Sequence, residues 1–92
     1  MKPIFTHNGS EVTLYHAYAI FSGYGHQRIV VTLEYNGKLM DFEAITNNMH
    51  DFDKATDNKE EDYDQYQLDL YELISYNIEE GIYDWLESIE LN

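Results

Sequence analysis

The sequence contains no cysteine, and only five of its 92 residues are lysine or arginine. Without cysteine the chain can form neither disulfides nor thiolate metal sites. No stretch approaches the roughly 18 consecutive apolar residues of a membrane-spanning helix. The first dozen residues also lack the apolar core of a signal peptide. We therefore expect a cytoplasmic protein that does not bind a membrane.

The scarcity of basic residues leaves a formal net charge of -13 at pH 7. Residues 1–40 hold two acidic and three basic residues, whereas residues 41–92 hold sixteen acidic residues and two lysines. A polyanion would be repelled by such a chain, so direct nucleic-acid binding is excluded and a basic partner is favoured. The length predicts a single domain over residues 1–92. It divides into a near-neutral half at 1–46 and an acidic half at 47–92.

The first half is predicted to form a small antiparallel sheet of three or four strands within residues ~4–46. β-Branched and aromatic residues dominate two stretches, and a third alternates apolar with polar residues. Asn36-Gly37 separates two of these stretches and is the dipeptide most typical of a tight β-hairpin. Asn8-Gly9 is a second turn signal, after a short edge strand. The predicted strands are residues 4–6, 11–21, 27–35 and 39–46.

The second half is predicted to be helical, which makes the fold α+β. Asn47-Asn48 predicts a cap before a short helical turn that ends near Ala55. A C-terminal helix is then expected over about residues 62–90, or two helices if Gly81 interrupts it. This helix would cover one face of the sheet. Its predicted apolar face consists of Tyr63, Tyr66, Leu70, Ile74, Ile78, Ile82, Trp85 and Ile89.

Eleven carboxylates lie between Glu60 and Glu90, and no lysine or arginine interrupts them. If helical, this segment places a charge about every 4 Å, close to the ~3.4 Å along one DNA strand. Like charges three or four residues apart destabilise a helix slightly, so stability alone does not account for the pattern. The pattern favours mimicry of DNA phosphates; the alternative is an acidic face that serves only solubility. The predicted phosphate-mimicking residues are Glu60, Glu61, Asp64, Asp69, Glu72, Glu79, Glu80, Asp84 and Glu87.

No pattern in the sequence is typical of a metal or catalytic site. The histidines lack the spacing that places two imidazoles on one metal ion. Residues 51–57 resemble the start of a calcium loop, but Ala55 and Thr56 occupy positions that require a ligand and a glycine. The serines occur in no nucleophile motif. We predict no metal site, no cofactor and no enzymatic activity.

The tyrosines suggest a second kind of function. Tyr63, Tyr66 and either Tyr15 or Tyr18 are expected in or beside the core. Tyr71, Tyr76 and Tyr83 lie off the apolar face and beside carboxylates. Exposed tyrosines are typical of protein interfaces. The alternative prediction is therefore a protein-interaction adaptor that docks through this tyrosine-bearing surface, or a homodimer that uses it, with charge serving solubility.

In its length, its charge and its lysine-poor acidic end, the chain resembles the small DNA-mimicking antirestriction proteins of T-even phages. The composition of the segment NNMHDFDKATDNKEEDYDQY is also similar to theirs. The resemblance covers the size and charge of the whole chain and includes no diagnostic motif. It implies an inhibitor of a restriction endonuclease, namely McrBC, that acts as a homodimer in the host cytoplasm.

Overall fold

Four antiparallel strands are followed by two helices in a computed structural model that describes residues 2–91. The strands lie in the sheet in chain order, so the sheet is a simple meander. This arrangement confirms the predicted α+β fold. The elements are β1 (Lys2–His7), β2 (Ser10–Gly23), β3 (His26–Tyr35), β4 (Lys38–Thr46), α1 (Met49–Asp57) and α2 (Tyr63–Leu91).

Both Asn-Gly dipeptides form tight turns between neighbouring strands. The φ angles are 49° and 83° at Asn8-Gly9, and 51° and 81° at Asn36-Gly37. Positive φ at both residues is the type I′ geometry, whose twist matches that of the flanking strands. The remaining hairpin, between β2 and β3, is tighter than the predicted strands 11–21 and 27–35 implied, because β2 continues to Gly23 and β3 begins at His26.

A short polar side chain caps the start of each helix. Asn48 Oδ1 accepts a hydrogen bond from Asp51 N at 3.1 Å, as expected of an N-cap residue. Asp62 Oδ1 accepts from Gln65 N at 3.1 Å in the same way. The negative charge of Asp62 also lies at the positive end of the dipole of α2. The two caps fix where α1 and α2 begin.

The long helix α2 packs on one face of the sheet, α1 packs against α2, and the core lies mainly between α2 and the sheet. The buried residues of α2 recur at every fourth position. Since an α-helix has 3.6 residues per turn, each step of four advances the buried line by about 40°. The line therefore winds around α2, as expected for a helix that packs on a twisted sheet. The residues of this line are Tyr66, Leu70, Ile74, Ile78, Ile82 and Leu86.

Two residues of the predicted apolar face, Tyr63 and Trp85, are less buried than expected, and one residue outside it, Leu86, is fully buried. Leu86 was missed by the prediction yet is 0% exposed, whereas Trp85 is only half-buried against Phe42. Tyr63, predicted in or beside the core, is 44% exposed, and the same prediction for Tyr15 or Tyr18 is wrong, since both are exposed on the sheet. An apolar face predicted from steps of three and four residues therefore fails to match the buried residues near the two ends of α2.

The opposite face of the sheet points away from the helices. Tyr18, Ile20 and Ile45 are exposed there, beside Arg28 and Glu43. Arg28 Nη1 lies 4.0 Å from Glu43 Oε2, so the two form a cross-strand ion pair. This face is mixed in character, in contrast to the acidic helical layer. Within residues 2–91, neither α1 nor α2 combines enough length with enough apolar character to cross a membrane.

The C-terminal helix is continuous through Gly81, so the chain forms one long helix there rather than two. A Cβ atom at this position would meet the Phe42 ring at 3.6 Å, an ordinary van der Waals contact. We expect Gly81→Ala to stabilise the fold by about 0.5–1 kcal/mol, since alanine loses less backbone entropy in a helix. Thermal unfolding should shift upward by about 2–8 °C.

The matched control is the same substitution at Gly37, whose φ of 81° is one that alanine adopts only with strain. Gly37→Ala should lower the unfolding temperature even though nothing lies within 4 Å of the added Cβ. A stability loss in Gly81→Ala would contradict the helix geometry described for this position.

Candidate functional site

Five exposed carboxylates form a continuous acidic face on α2. At 100° per residue they fall within an arc of about 140° around the helix. Their first and last members are fifteen residues apart, or about 22 Å along the axis. The acidic face consists of Glu72, Glu79, Glu80, Asp84 and Glu87, and all five side chains are exposed.

The other four predicted phosphate-mimicking residues lie at or near the N-terminal end of α2. Glu60 and Glu61 are exposed in the turn that connects the two helices, and Asp64 is exposed in the first turn of α2. Asp69 is half-buried, and its carboxylate accepts hydrogen bonds from Asn58 Nδ2 at 3.3 Å and from Gln65 Nε2 at 2.7 Å. Asp69 therefore fastens the connecting turn to α2.

Glu90, which was left out of the predicted set, is also engaged within the fold. Its Oε1 atom lies 2.9 Å from His7 Nε2, and it accepts a hydrogen bond from Asn8 Nδ2. These contacts join the C-terminal end of α2 to the first hairpin. Glu90 therefore lies apart from the acidic face and serves the fold.

The charge density of the acidic face is lower than the sequence suggested. Its five carboxylates over about 22 Å give one charge about every 4–5 Å. A single DNA strand carries one charge per ~3.4 Å, and a duplex carries one per ~1.7 Å. The density therefore approaches that of one strand and is well below that of a duplex.

The acidic face opposes the stability of its own helix. The last turn of α2 contains no basic residue, although cations are favoured at that end of the helix dipole. Within residues 2–91 the close contacts between basic and acidic side chains are His7–Glu90, an ion pair when the imidazole is protonated, and Arg28–Glu43. Neither pair involves the acidic face, and the sequence has no lysine or arginine after Lys59. No ion pair within the described chain therefore involves this face, although Lys54 and Glu72 line the same groove between α1 and α2.

Tyrosines form a groove directly beside the acidic face. The groove has a volume of about 320 Å³ and lies between β1 and the middle of α2. We call it the aromatic groove. Its lining residues are Phe5, Tyr71, Ser75, Tyr76, Glu79, Ile82 and Tyr83.

The tyrosines of the aromatic groove differ in burial. Tyr71 is half-buried in its wall, whereas Tyr76 is 88% exposed. Burial raises the pKa of the Tyr71 hydroxyl, and the nearby Tyr83, Glu79 and Glu72 raise it further. The same negative surroundings that oppose ionisation of Tyr71 would attract a cation.

A second groove separates α1 from α2. It has a volume of about 400 Å³ and a polar lining that includes Asp51, Lys54, Asp69 and Glu72. Across the described part of the chain, no three His, Asp or Glu side chains come together as metal ligands would. This groove therefore offers polar contacts without a recognisable ligand set.

Two long-range contacts gave no signal in the sequence. Gln67 Oε1 accepts a hydrogen bond from Ala17 N at 2.9 Å, next to an irregularity in the pairing of β2 with β3. Phe5 packs against Tyr83, with ring centroids 5.9 Å apart, and so closes one side of the aromatic groove. Both contacts join residues at least fifty positions apart, which periodicity along one segment does not connect.

Comparison with known proteins finds no matching family model, no matching curated protein and no matching solved structure. Function is therefore inferred from the charge and geometry of the acidic face and the aromatic groove.

Proposed function

We propose that the protein is an acidic DNA mimic that occupies the DNA-binding surface of a nucleic-acid-handling protein. The acidic face supports this proposal more than any other feature. Its carboxylates are exposed, lie on one side of a single helix and take part in no ion pair within the described chain. They also lie where charge costs helix stability. Such a cost is understandable if the charges bind a basic partner.

The excess negative charge is concentrated on the helical side of the molecule. The sheet belongs to the near-neutral half of the sequence, whereas both helices belong to the half that carries the excess negative charge. The negative electrostatic field of the helices would orient the protein toward a basic cleft and accelerate their association. The acidic face, together with Glu60, Glu61 and Asp64, would then replace phosphates in that cleft.

Restriction endonucleases are the proposed class of target, and McrBC is the named candidate within it. This choice depends on the resemblance of size and charge to the antirestriction proteins of T-even phages. It adds the expectation of a host cytoplasmic location and a homodimer, both of which stay predictions. The broader proposal, a DNA-binding target of unspecified identity, depends only on the acidic face.

The second candidate function is a protein-interaction adaptor that docks through the tyrosine-bearing surface. The grouping of Tyr71, Tyr76 and Tyr83 around one groove favours it. In that case the acidic face would serve only solubility. Ionic strength separates the two functions, because exposed charge pairs are screened by salt whereas apolar contacts are not.

The test is capture of partners from a bacterial lysate on immobilised protein, followed by elution with a sodium chloride gradient or with duplex DNA. We expect at least one DNA-binding protein to elute at moderate salt and to be displaced by duplex DNA. A parallel column should carry the variant in which Glu72, Glu79 and Glu80 are replaced by glutamine, and it should retain much less of that protein. Partners that resist both salt and DNA, and that bind both columns equally, would favour the adaptor instead.

A further inference from the structure

Three residues are shared by two adjoining depressions on α2. Tyr76, Glu79 and Tyr83 line the aromatic groove on one side and a shallower groove that reaches Glu80 and Asp84 on the other. They are spaced three and four residues apart, which places them on one side of the helix. Aromatic rings and carboxylates are therefore interleaved at this point of the acidic face.

The surroundings of these residues are those that a long cationic side chain requires. Tyrosine ring faces attract cations, and a carboxylate within reach adds a charge-assisted hydrogen bond. Ile82 is buried in the aromatic groove, and Phe5 lies against Tyr83. Phe5, which is only half-buried, offers apolar contact for the methylene groups of a lysine or arginine stem.

We infer that the aromatic groove binds an arginine side chain, held between Tyr76 and Tyr83 and paired with Glu79. Arginine is favoured over lysine because a planar guanidinium stacks on aromatic rings and donates two parallel hydrogen bonds to a carboxylate. The chain supplies no such cation from its own helix, since no lysine or arginine follows Lys59. The inference rests on the proposed function for its source of arginine, namely a basic segment of the DNA-binding partner.

The test uses a short probe in place of the partner. The peptide acetyl-Gly-Arg-Gly-amide is titrated into the protein, and the ring resonances of its tyrosines are followed by NMR. The control peptide contains citrulline, which keeps the shape of arginine without its charge. We expect the arginine peptide to shift the Tyr76 and Tyr83 resonances in a saturable way and the citrulline peptide to leave them nearly unchanged.

Tyr24 provides an internal control, since it is 97% exposed in the turn between β2 and β3. Its resonances should stay in place during the arginine titration. The inference would be overturned by equal shifts with both peptides, by no shift at Tyr76 and Tyr83, or by an equal shift at Tyr24.

Two single variants examine the separate contributions of ring and charge. Tyr76→Leu keeps an apolar side chain but removes the ring, and Glu79→Gln removes the charge. Each should weaken binding of the arginine peptide by about two- to fivefold, as expected for an exposed cation–π contact and an exposed ion pair. Tyr24→Leu is the matched control for the first variant and should bind like the unmodified protein.

The outcomes distinguish this inference from the proposed function. If the arginine peptide binds as described but DNA fails to displace the captured partner, the groove is an arginine site and DNA mimicry is wrong. If DNA displaces the partner but Tyr76→Leu and Glu79→Gln leave peptide binding unchanged, mimicry stands and the arginine site is wrong.

Discussion

Replacing Glu72, Glu79 and Glu80 together by glutamine is expected to weaken binding of the DNA-binding partner by about 3- to 150-fold at low salt. Each exposed carboxylate lost from a charge pair costs about 0.2–1 kcal/mol, and the three losses are taken as roughly additive. The dependence of affinity on salt should become shallower as well, because fewer screened contacts remain. Binding measured by calorimetry at several sodium chloride concentrations gives both quantities.

A matched control changes the net charge by the same amount at a different place. Replacing Glu11, Glu34 and Glu43 by glutamine also removes three negative charges, but all three residues lie on the sheet. This variant should bind within about threefold of the unmodified protein, since distant charges are screened over roughly 10 Å. Equal weakening by the two variants would mean that total charge, rather than the acidic face, determines binding.

Leu86→Ala is expected to destabilise the fold by about 2–5 kcal/mol, as large-to-small changes at fully buried positions do. Such a loss is a large part of the 5–15 kcal/mol that stabilises a typical domain. The unfolding temperature should fall by about 10–30 °C for a chain of this size. Leu86 is 0% exposed and lies in the core between α2 and the sheet, which is the reason for the size of the effect.

Leu91→Ala is the matched control. Leu91 lies on the same helix but is 87% exposed. Leu91→Ala should change stability by no more than about 0.5 kcal/mol. Urea unfolding of both variants, monitored by circular dichroism, measures the difference. If Leu86→Ala were as mild as Leu91→Ala, the buried line along α2 would be wrongly placed.

Local signals in the sequence predicted much of the fold. The two Asn-Gly dipeptides have one favoured geometry, so both hairpins could be predicted from four residues. Asn48 has a side chain that satisfies a free backbone N–H, so the start of α1 could be predicted in the same way. In each case the decisive interaction is made within a few positions of the chain.

The exact core of α2 could not be predicted because it depends on the sheet beneath the helix. The apolar pattern alone allows either Trp85 or Leu86 to point inward, and both fit steps of three or four. The winding of the buried line selects Leu86, and that winding reflects packing on a twisted sheet. Tyr63 is exposed because the buried residues of α2 begin only at Tyr66, and Tyr63 does not lie on the line that they define.

The candidate site was predictable as a set of charges but not as a geometry. The uninterrupted acidic run identified the carboxylates of the acidic face, all of which are exposed. It did not indicate that Asp69 and Glu90 would be engaged by Asn58 and His7. Nor did it indicate the aromatic groove, because Phe5 reaches α2 only through the tertiary fold.

Competition between duplex DNA and this protein for one partner tests the central claim most directly. The captured DNA-binding protein is titrated with the fluorescently labelled chain at increasing concentrations of duplex DNA. If the acidic face occupies the DNA-binding surface, the apparent Kd should rise in proportion to the DNA concentration, without reaching a plateau. A plateau, or a complex that contains partner, DNA and this chain together, would place the chain on another surface and contradict the account.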